Sequence, residues 1–226
     1  MNQSIEVLRS LKACLASGQA KLTVAVATLL AIATLLLSPM AAWAHHPFGG
    51  STPDTLFKGF LSGLGHPVIG LDHLAFVIAA GLLAAVMGRG LIIPVAFVIA
   101  SLAGTGIHVM SLDLPAPELM IAASVLLFGG LLALKNQPNS FIVTVLGAIA
   151  GLFHGYAYGE AIVGADMAPL VSYLLGFASI QMAIALVAYG VAKRLGTSSE
   201  AGALNLRFAG FALSGAGFAF LSGVFL

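Results

Sequence analysis

The sequence predicts an all-α protein that crosses a membrane several times, and three observations lead to this fold class. Of the 226 residues, 60% are hydrophobic and only 8% are charged, whereas soluble folded proteins carry about 25% charged residues. The mean hydropathy is +1.07. Long apolar runs alternate with short polar connections. A formal net charge of +1 without a basic cluster also argues against nucleic-acid binding.

Residues 1–44 have the three parts of a secretory signal peptide. A basic region, residues 1–21, precedes the apolar run Leu22–Leu37, and Ala42-Trp43-Ala44 forms a small-residue cleavage site. We predict cleavage after Ala44, which removes Cys14, the single cysteine of the chain. An uncleaved first helix is the alternative, because the apolar run exceeds the usual length of about 7–15 residues.

The remaining residues, 45–226, are predicted to form one transmembrane domain of six helices. Each span needs about 20 mostly apolar residues. The predicted spans, one to six, are about Gly63–Met87, Leu91–Ser111, Pro117–Leu134, Phe141–Val163, Ala168–Ala192 and Asn205–Leu226. Because the connections between them are short, neighbouring spans run antiparallel.

The basic residues predict how this domain sits in the membrane, since cytoplasmic loops are enriched in Lys and Arg. If the signal peptide exports the N-terminus, the outer segments hold only Lys58. The cytoplasmic connections then hold the other basic residues of the domain, which are Arg89, Lys135, Lys193, Arg194 and Arg207. The sequence therefore predicts a bacterial inner-membrane protein with both mature termini outside.

Ionisable side chains within spans are costly and usually functional, and here they concentrate in two spans. Span one carries His66, Asp72 and His73, and span four carries His154 and Glu160. In both spans a histidine is followed six residues later by an acid. We therefore expect these side chains to form one metal-binding site in the outer half of the membrane.

The two spans also share a short sequence pattern. Gly63-Leu64-Gly65-His66 matches Gly151-Leu152-Phe153-His154, and the two spans are predicted to run in opposite directions. This is the pattern of a 3+3 inverted repeat, an arrangement that places substrate sites at the interface between repeats.

Helix geometry limits how span one contributes to such a site. His66 and His73 are seven residues apart, which separates them by about 10 Å along a straight helix. Pro67 and Gly70 could break the helix and bring the two histidines together. If the helix is unbroken, the two histidines would instead contact the ion one after the other along a single path through the membrane.

Span four also carries a glycine every four residues, which favours close helix packing. This ridge consists of Gly147, Gly151, Gly155 and Gly159, and we expect span one to pack against it. Glycine-rich faces on spans four and six fit either folding within one chain or a homo-oligomer.

The side chains within the spans favour a transition metal. Imidazole and carboxylate ligands without sulfur suit Ni²⁺, Co²⁺ or Zn²⁺, whereas Mg²⁺ and Ca²⁺ prefer oxygen ligands. His45 and His46 would start the mature chain and are candidate ligands at the entrance. His108, near the outer end of span two, is a candidate ligand or a packing residue.

At these residues the sequence resembles the HupE/UreJ family of nickel and cobalt permeases. The family's first motif, His-x5-Asp-His, is matched by His66–His73, and its second, Phe-His-Gly with a downstream Glu, by Phe153–Glu160. The resemblance covers nearly the whole chain. It implies secondary-type uptake that supplies nickel to hydrogenase or urease, or cobalt to cobalamin synthesis. Many members have a second histidine where this chain has Tyr158, which leaves one fewer imidazole.

We therefore predict a permease that is not an enzyme. Its partners are a divalent metal ion, as substrate, and the lipid bilayer, with no resident cofactor. One alternative is an intramembrane metal-dependent hydrolase with Glu160 as general base, although no H-E-x-x-H motif is present. Another is a membrane protein that delivers metal to an assembly partner without net transport.

Overall fold

The computed structural model describes residues 51–226. The predicted signal peptide, Cys14 and the candidate ligands His45 and His46 lie outside the described residues. Within 51–226 the chain forms seven helices and no strand. They are α1 (Leu56–Ile69), α2 (Leu71–Met87), α3 (Ile92–Val109), α4 (Pro117–Ala133), α5 (Ser140–Gly159), α6 (Met167–Leu195) and α7 (Glu200–Phe225).

Several of these helices suit a multi-pass membrane protein. In the described part of the chain, α3, α5, α6 and α7 are long and apolar enough to cross a bilayer, and α1 with α2 would make a fifth, broken span. Helix α4 is also apolar but has only 17 residues. Up to five of the six predicted spans are therefore supported by length and composition, and the span at α4 stays a prediction.

Predicted span one is not a continuous helix, because α1 and α2 meet at an angle of 79°. The break lies at Gly70, whose backbone is extended and whose N–H closes α1 on the carbonyl of His66 at 3.0 Å. Pro67 weakens the preceding turn, since proline has no N–H to donate. Asp72 then stabilises the start of α2, where its Oδ1 accepts from the backbone N–H of His73 at 2.8 Å.

The closest helix crossings are α3 with α5, α1 with α6, and α4 with α7. Gly155 of α5 lies against the backbone of Ser101 in α3, and Gly63 of α1 lies against Gly176 in α6. The expectation that span one covers the glycine ridge of span four is therefore wrong, because α3 occupies that face. A 3+3 repeat would relate spans one to three to spans four to six, so it would map the α3–α5 crossing onto the α1–α6 crossing and the α4–α7 crossing onto itself. The three observed crossings agree with this pattern. The repeat itself stays a prediction.

At each end of the helix bundle, a hydrogen bond joins parts of the chain that are distant in sequence. At one end the Arg207 Nε donates to the carbonyl of Ala133 at 2.9 Å, which joins the start of α7 to the end of α4. At the other end the Tyr156 hydroxyl donates to Asp113 at 3.3 Å, which joins the end of α5 to the α3–α4 loop. The loops predicted to share one side of the membrane therefore lie together.

Candidate metal-binding site

Three buried histidines come together where α1, α2 and α5 meet. The Nδ1 atoms of His73 and His154 are 2.7 Å apart, and the rings of His66 and His73 are 5.8 Å apart between centroids. The break at Gly70 accounts for the second distance, because a continuous helix would separate these residues by about 10 Å. The two sequence motifs thus meet through their imidazoles.

Aromatic side chains surround this imidazole cluster, defined as His66, His73 and His154. The ring of Tyr158 lies 4.5 Å from that of His73 and 5.0 Å from that of His66 between centroids. Two phenylalanine rings pack on His154, namely Phe76 at 4.8 Å and Phe97 at 5.4 Å. The cluster is therefore enclosed by aromatic rings that exclude bulk water. Each hydrogen bond within it is stronger than it would be in water.

Two hydroxyl groups from other helices bind the imidazoles. The Tyr173 hydroxyl in α6 lies 2.9 Å from Nδ1 of His66. The Ser124 Oγ in α4 lies 3.0 Å from Nε2 of His154. Sequence reasoning missed both residues, because a lone Ser or Tyr in an apolar helix carries no recognisable pattern.

A second polar contact set lies beside Tyr158. The Ser101 hydroxyl lies 3.2 Å from Oε1 of Gln181, and both side chains are buried. The Gln181 side chain lies close enough to the Tyr158 hydroxyl to interact with it. As oriented, Gln181 Nε2 and the Tyr158 hydroxyl make no hydrogen bond within the described residues. A half-turn of the amide would let Oε1 accept from Tyr158 and Nε2 donate to Ser101.

The acidic candidates differ in their positions. Asp72 is half-buried at the start of α2, where one of its oxygens accepts a hydrogen bond from the backbone of its own helix. Glu160 is exposed at the C-terminus of α5 and lies outside the imidazole cluster. Glu160 follows His154 by six residues, which turn a helix by about 600°, so the two side chains lie on different faces of α5.

His108 lies apart from the imidazole cluster, near the end of α3. Its ring packs on Tyr156 at 4.4 Å between centroids and against Gly159. Its Nδ1 is buried without a hydrogen-bond partner among residues 51–226. In the same range, no three His, Cys, Asp or Glu side chains are grouped tightly enough to hold a metal ion as they stand. A third ligand would therefore have to move toward the His73–His154 pair.

Comparisons with known proteins give one consistent answer. The family described as HupE / UreJ protein matches residues 32–220. The chain is similar to Protein HupE of Rhizobium leguminosarum bv. viciae, with 33% identity over 168 residues that cover 73% of this chain and 85% of that protein. No solved structure matches. The chain therefore belongs to the HupE/UreJ family.

Proposed function

We propose that this chain is a membrane permease for Ni²⁺ or Co²⁺ and that the ion binds where the two motifs meet. The observation that carries the proposal is the 2.7 Å distance between Nδ1 of His73 and Nδ1 of His154. Two nitrogens bound to one ion at 2.0–2.1 Å and at a right angle lie about 2.9 Å apart. An ion can therefore replace the proton that the two imidazoles share with little change in the distance between the two nitrogens, while each ring turns so that its lone pair points at the ion.

His66 and Asp72 are the proposed further ligands from span one. The ring of His66 is already 5.8 Å from that of His73, and Asp72 precedes His73 at the start of α2. A small rotation about the break at Gly70 would move both toward the ion. Nitrogen and oxygen ligands without sulfur suit Ni²⁺ and Co²⁺, although they do not distinguish these ions from Zn²⁺.

The ends of the bundle define the proposed path. Glu160 and His108 lie at the end of the bundle that also carries Asp113, which we assign to the outside, together with the proposed entrance ligands His45 and His46. A divalent ion driven inward gains about 4.6 kcal/mol per 100 mV of membrane potential, twice the value for one charge. This driving force suits secondary transport in the bacterial inner membrane.

Membership of the HupE/UreJ family supports the choice of cargo. It connects this chain with nickel for hydrogenase or urease, or with cobalt for cobalamin synthesis. Net transport distinguishes the permease from a protein that only delivers metal to an assembly partner, and substrate turnover would identify a hydrolase.

Uptake of radiolabelled Ni²⁺ and Co²⁺ by metal-starved cells tests the proposal. Cells that express the chain should take up one or both ions saturably. His66→Ala should abolish uptake, and Glu160→Gln should lower it, because it removes a negative charge from the proposed path. Asp166→Asn is the matched control, because Asp166 is also an exposed carboxylate at this end of the bundle, and it should leave uptake unchanged. No uptake despite confirmed membrane insertion would overturn the proposal.

A further inference from the structure

The two hydroxyl groups that contact the imidazole cluster form hydrogen bonds with a fixed direction. We propose that Ser124 and Tyr173 are positioning residues that select the tautomers of His154 and His66 and thereby aim their unprotonated nitrogens before metal arrives. The inference rests on the proposed function, because it assigns the metal-accepting atoms of that site. It follows from counting protons along two short chains of hydrogen bonds.

The first chain runs from His154 to α4. The Ser124 hydroxyl has one proton, and it donates that proton to the carbonyl of Ile121 at 2.6 Å. Its oxygen can then only accept from Nε2 of His154 at 3.0 Å. The proton of His154 is therefore on Nε2, and its Nδ1 carries the lone pair.

This assignment fixes the contact between the two motifs. Because Nδ1 of His154 accepts, Nδ1 of His73 must be the donor across the 2.7 Å contact. An ion that binds both Nδ1 atoms displaces this one proton, which moves to Nε2 of His73 or leaves to water. His154 needs no change of tautomer, because its hydrogen bond to Ser124 already keeps its proton on Nε2.

The second chain runs from His66 to α6. The Tyr173 hydroxyl donates its proton to the carbonyl of Tyr158 at 2.8 Å. It therefore accepts from Nδ1 of His66 at 2.9 Å, and the unprotonated nitrogen of His66 is Nε2. Both chains end on backbone carbonyls, which can only accept a hydrogen bond, so the direction of every hydrogen bond in each chain is fixed.

At known metal sites, a histidine ligand binds the metal through one ring nitrogen, and a hydrogen-bond partner of its other ring nitrogen fixes the tautomer and the ring orientation. Ser124 and Tyr173 are in the position of that hydrogen-bond partner. Without Ser124, the proton of His154 is free to move to Nδ1, where it would face the donor of His73. Ser124 and Tyr173 are both buried, so water cannot easily replace them. They bring α4 and α6 into a site that the sequence attributes to spans one and four.

Nitrogen-15 NMR of the metal-free, full-length chain with labelled histidine tests the tautomers directly. Signals are assigned with single histidine variants. We expect a protonated Nε2 on His154 and a protonated Nδ1 on His66. Ser124→Ala should disturb the tautomer of His154 and, through their shared hydrogen bond, that of His73. Tyr173→Phe should disturb the tautomer of His66 alone. A proton on Nδ1 of His154 in the unmodified chain, or an unchanged tautomer in Ser124→Ala, would overturn the inference.

Ni²⁺ binding to the purified chain supplies the second readout. Ser124→Ala should weaken binding by about 10–100-fold, as the loss of an outer partner does at other metal sites, and Ser124→Thr should restore it. Ser172→Ala is the matched control, because Ser172 is as buried as Ser124 but donates to the carbonyl of Leu56. Equal affinity in Ser124→Ala and Ser172→Ala would contradict the positioning role.

The two measurements separate this inference from the proposed function. If the tautomers are as assigned but the unmodified chain binds no Ni²⁺ or Co²⁺, the proposed function fails and the assignment of protons stands. If the chain binds metal normally while the tautomers differ from those assigned, the permease stands and this inference fails.

Discussion

The contact between Nδ1 of His73 and Nδ1 of His154 is the residue-scale feature from which the proposed function follows. At 2.7 Å the two nitrogens share one proton, because two charged rings this close would repel in a water-poor site. Phe76 and Phe97 cover His154, so under the proposed function the ion exchanges its bound water for imidazole. We therefore expect the pair to bind the ion as one unit rather than as two independent ligands.

Substitution of the pair tests this cooperation. His73→Ala and His154→Ala should each weaken Ni²⁺ binding to the purified chain by at least about tenfold. The double variant should bind little more weakly than either single one, because residues in direct contact are not additive. His108→Ala is the control, since it also removes a histidine but lies outside the imidazole cluster. Additive losses measured by titration calorimetry would mean that the two rings bind separately.

The sequence predicts the histidines of the cluster for a simple reason. Ionisable side chains stand out in an apolar span, so His66, His73 and His154 are recognisable without a structure. Ser124 and Tyr173 are not, since hydroxyl groups bond to backbone carbonyls and are tolerated in any membrane helix. For the same reason Gln181 and Ser101, which border Tyr158, carry no signal in the sequence.

At the scale of elements, the break in span one and the glycine crossings position the cluster. Gly70 turns the chain by 79° between α1 and α2, and the sequence indicated this region through Pro67 and Gly70. The partner of the span-four glycines could not be predicted in the same way. A four-residue glycine spacing shows that some backbone approaches closely, but not which one, and in this fold it is α3.

Gly155 offers a test of the α3–α5 crossing. A methyl group at this position would overlap the backbone of Ser101, so Gly155→Ala should lower the free energy of unfolding by about 1–3 kcal/mol. The loss should appear as a lower thermal midpoint of the detergent-solubilised protein. Gly106→Ala, in α3, is the control, because its methyl group would meet only open space. Equal midpoints for the two variants would contradict this crossing.

At the scale of the whole molecule, charge separates the two ends of the bundle. One end carries the basic residues Arg89, Lys135, Lys193, Arg194 and Arg207 with a single acid among the described residues, Glu200, and the other carries Asp54, Asp113, Glu118, Glu160 and Asp166. Lys58, at the acidic end, pairs with Asp54 at 2.8 Å. The hydrogen bond from Lys58 holds the pKa of Asp54 below its usual value. This carboxylate therefore stays ionised at neutral pH, on the side that we assign to ion entry.

Cysteine labelling of intact cells tests which end faces outward. In a Cys14→Ser background, Asp166→Cys at the acidic end should react with a membrane-impermeant maleimide. Ser198→Cys, in the exposed loop between α6 and α7, should react only after the cells are permeabilised, because cytoplasmic loops carry the excess of Lys and Arg. The reverse pattern would invert the proposed orientation and the direction of ion entry.

The central claim, that this chain alone moves Ni²⁺ or Co²⁺ through the His73–His154 pair, is tested most directly in sealed liposomes. Purified protein is reconstituted, a membrane potential negative inside is imposed, and the accumulation of radiolabelled ion is followed. We expect saturable accumulation that His154→Ala abolishes and Asp166→Asn leaves intact. Accumulation no faster than in protein-free liposomes, from a chain that still binds the ion, would contradict transport and identify a metal-delivery protein instead.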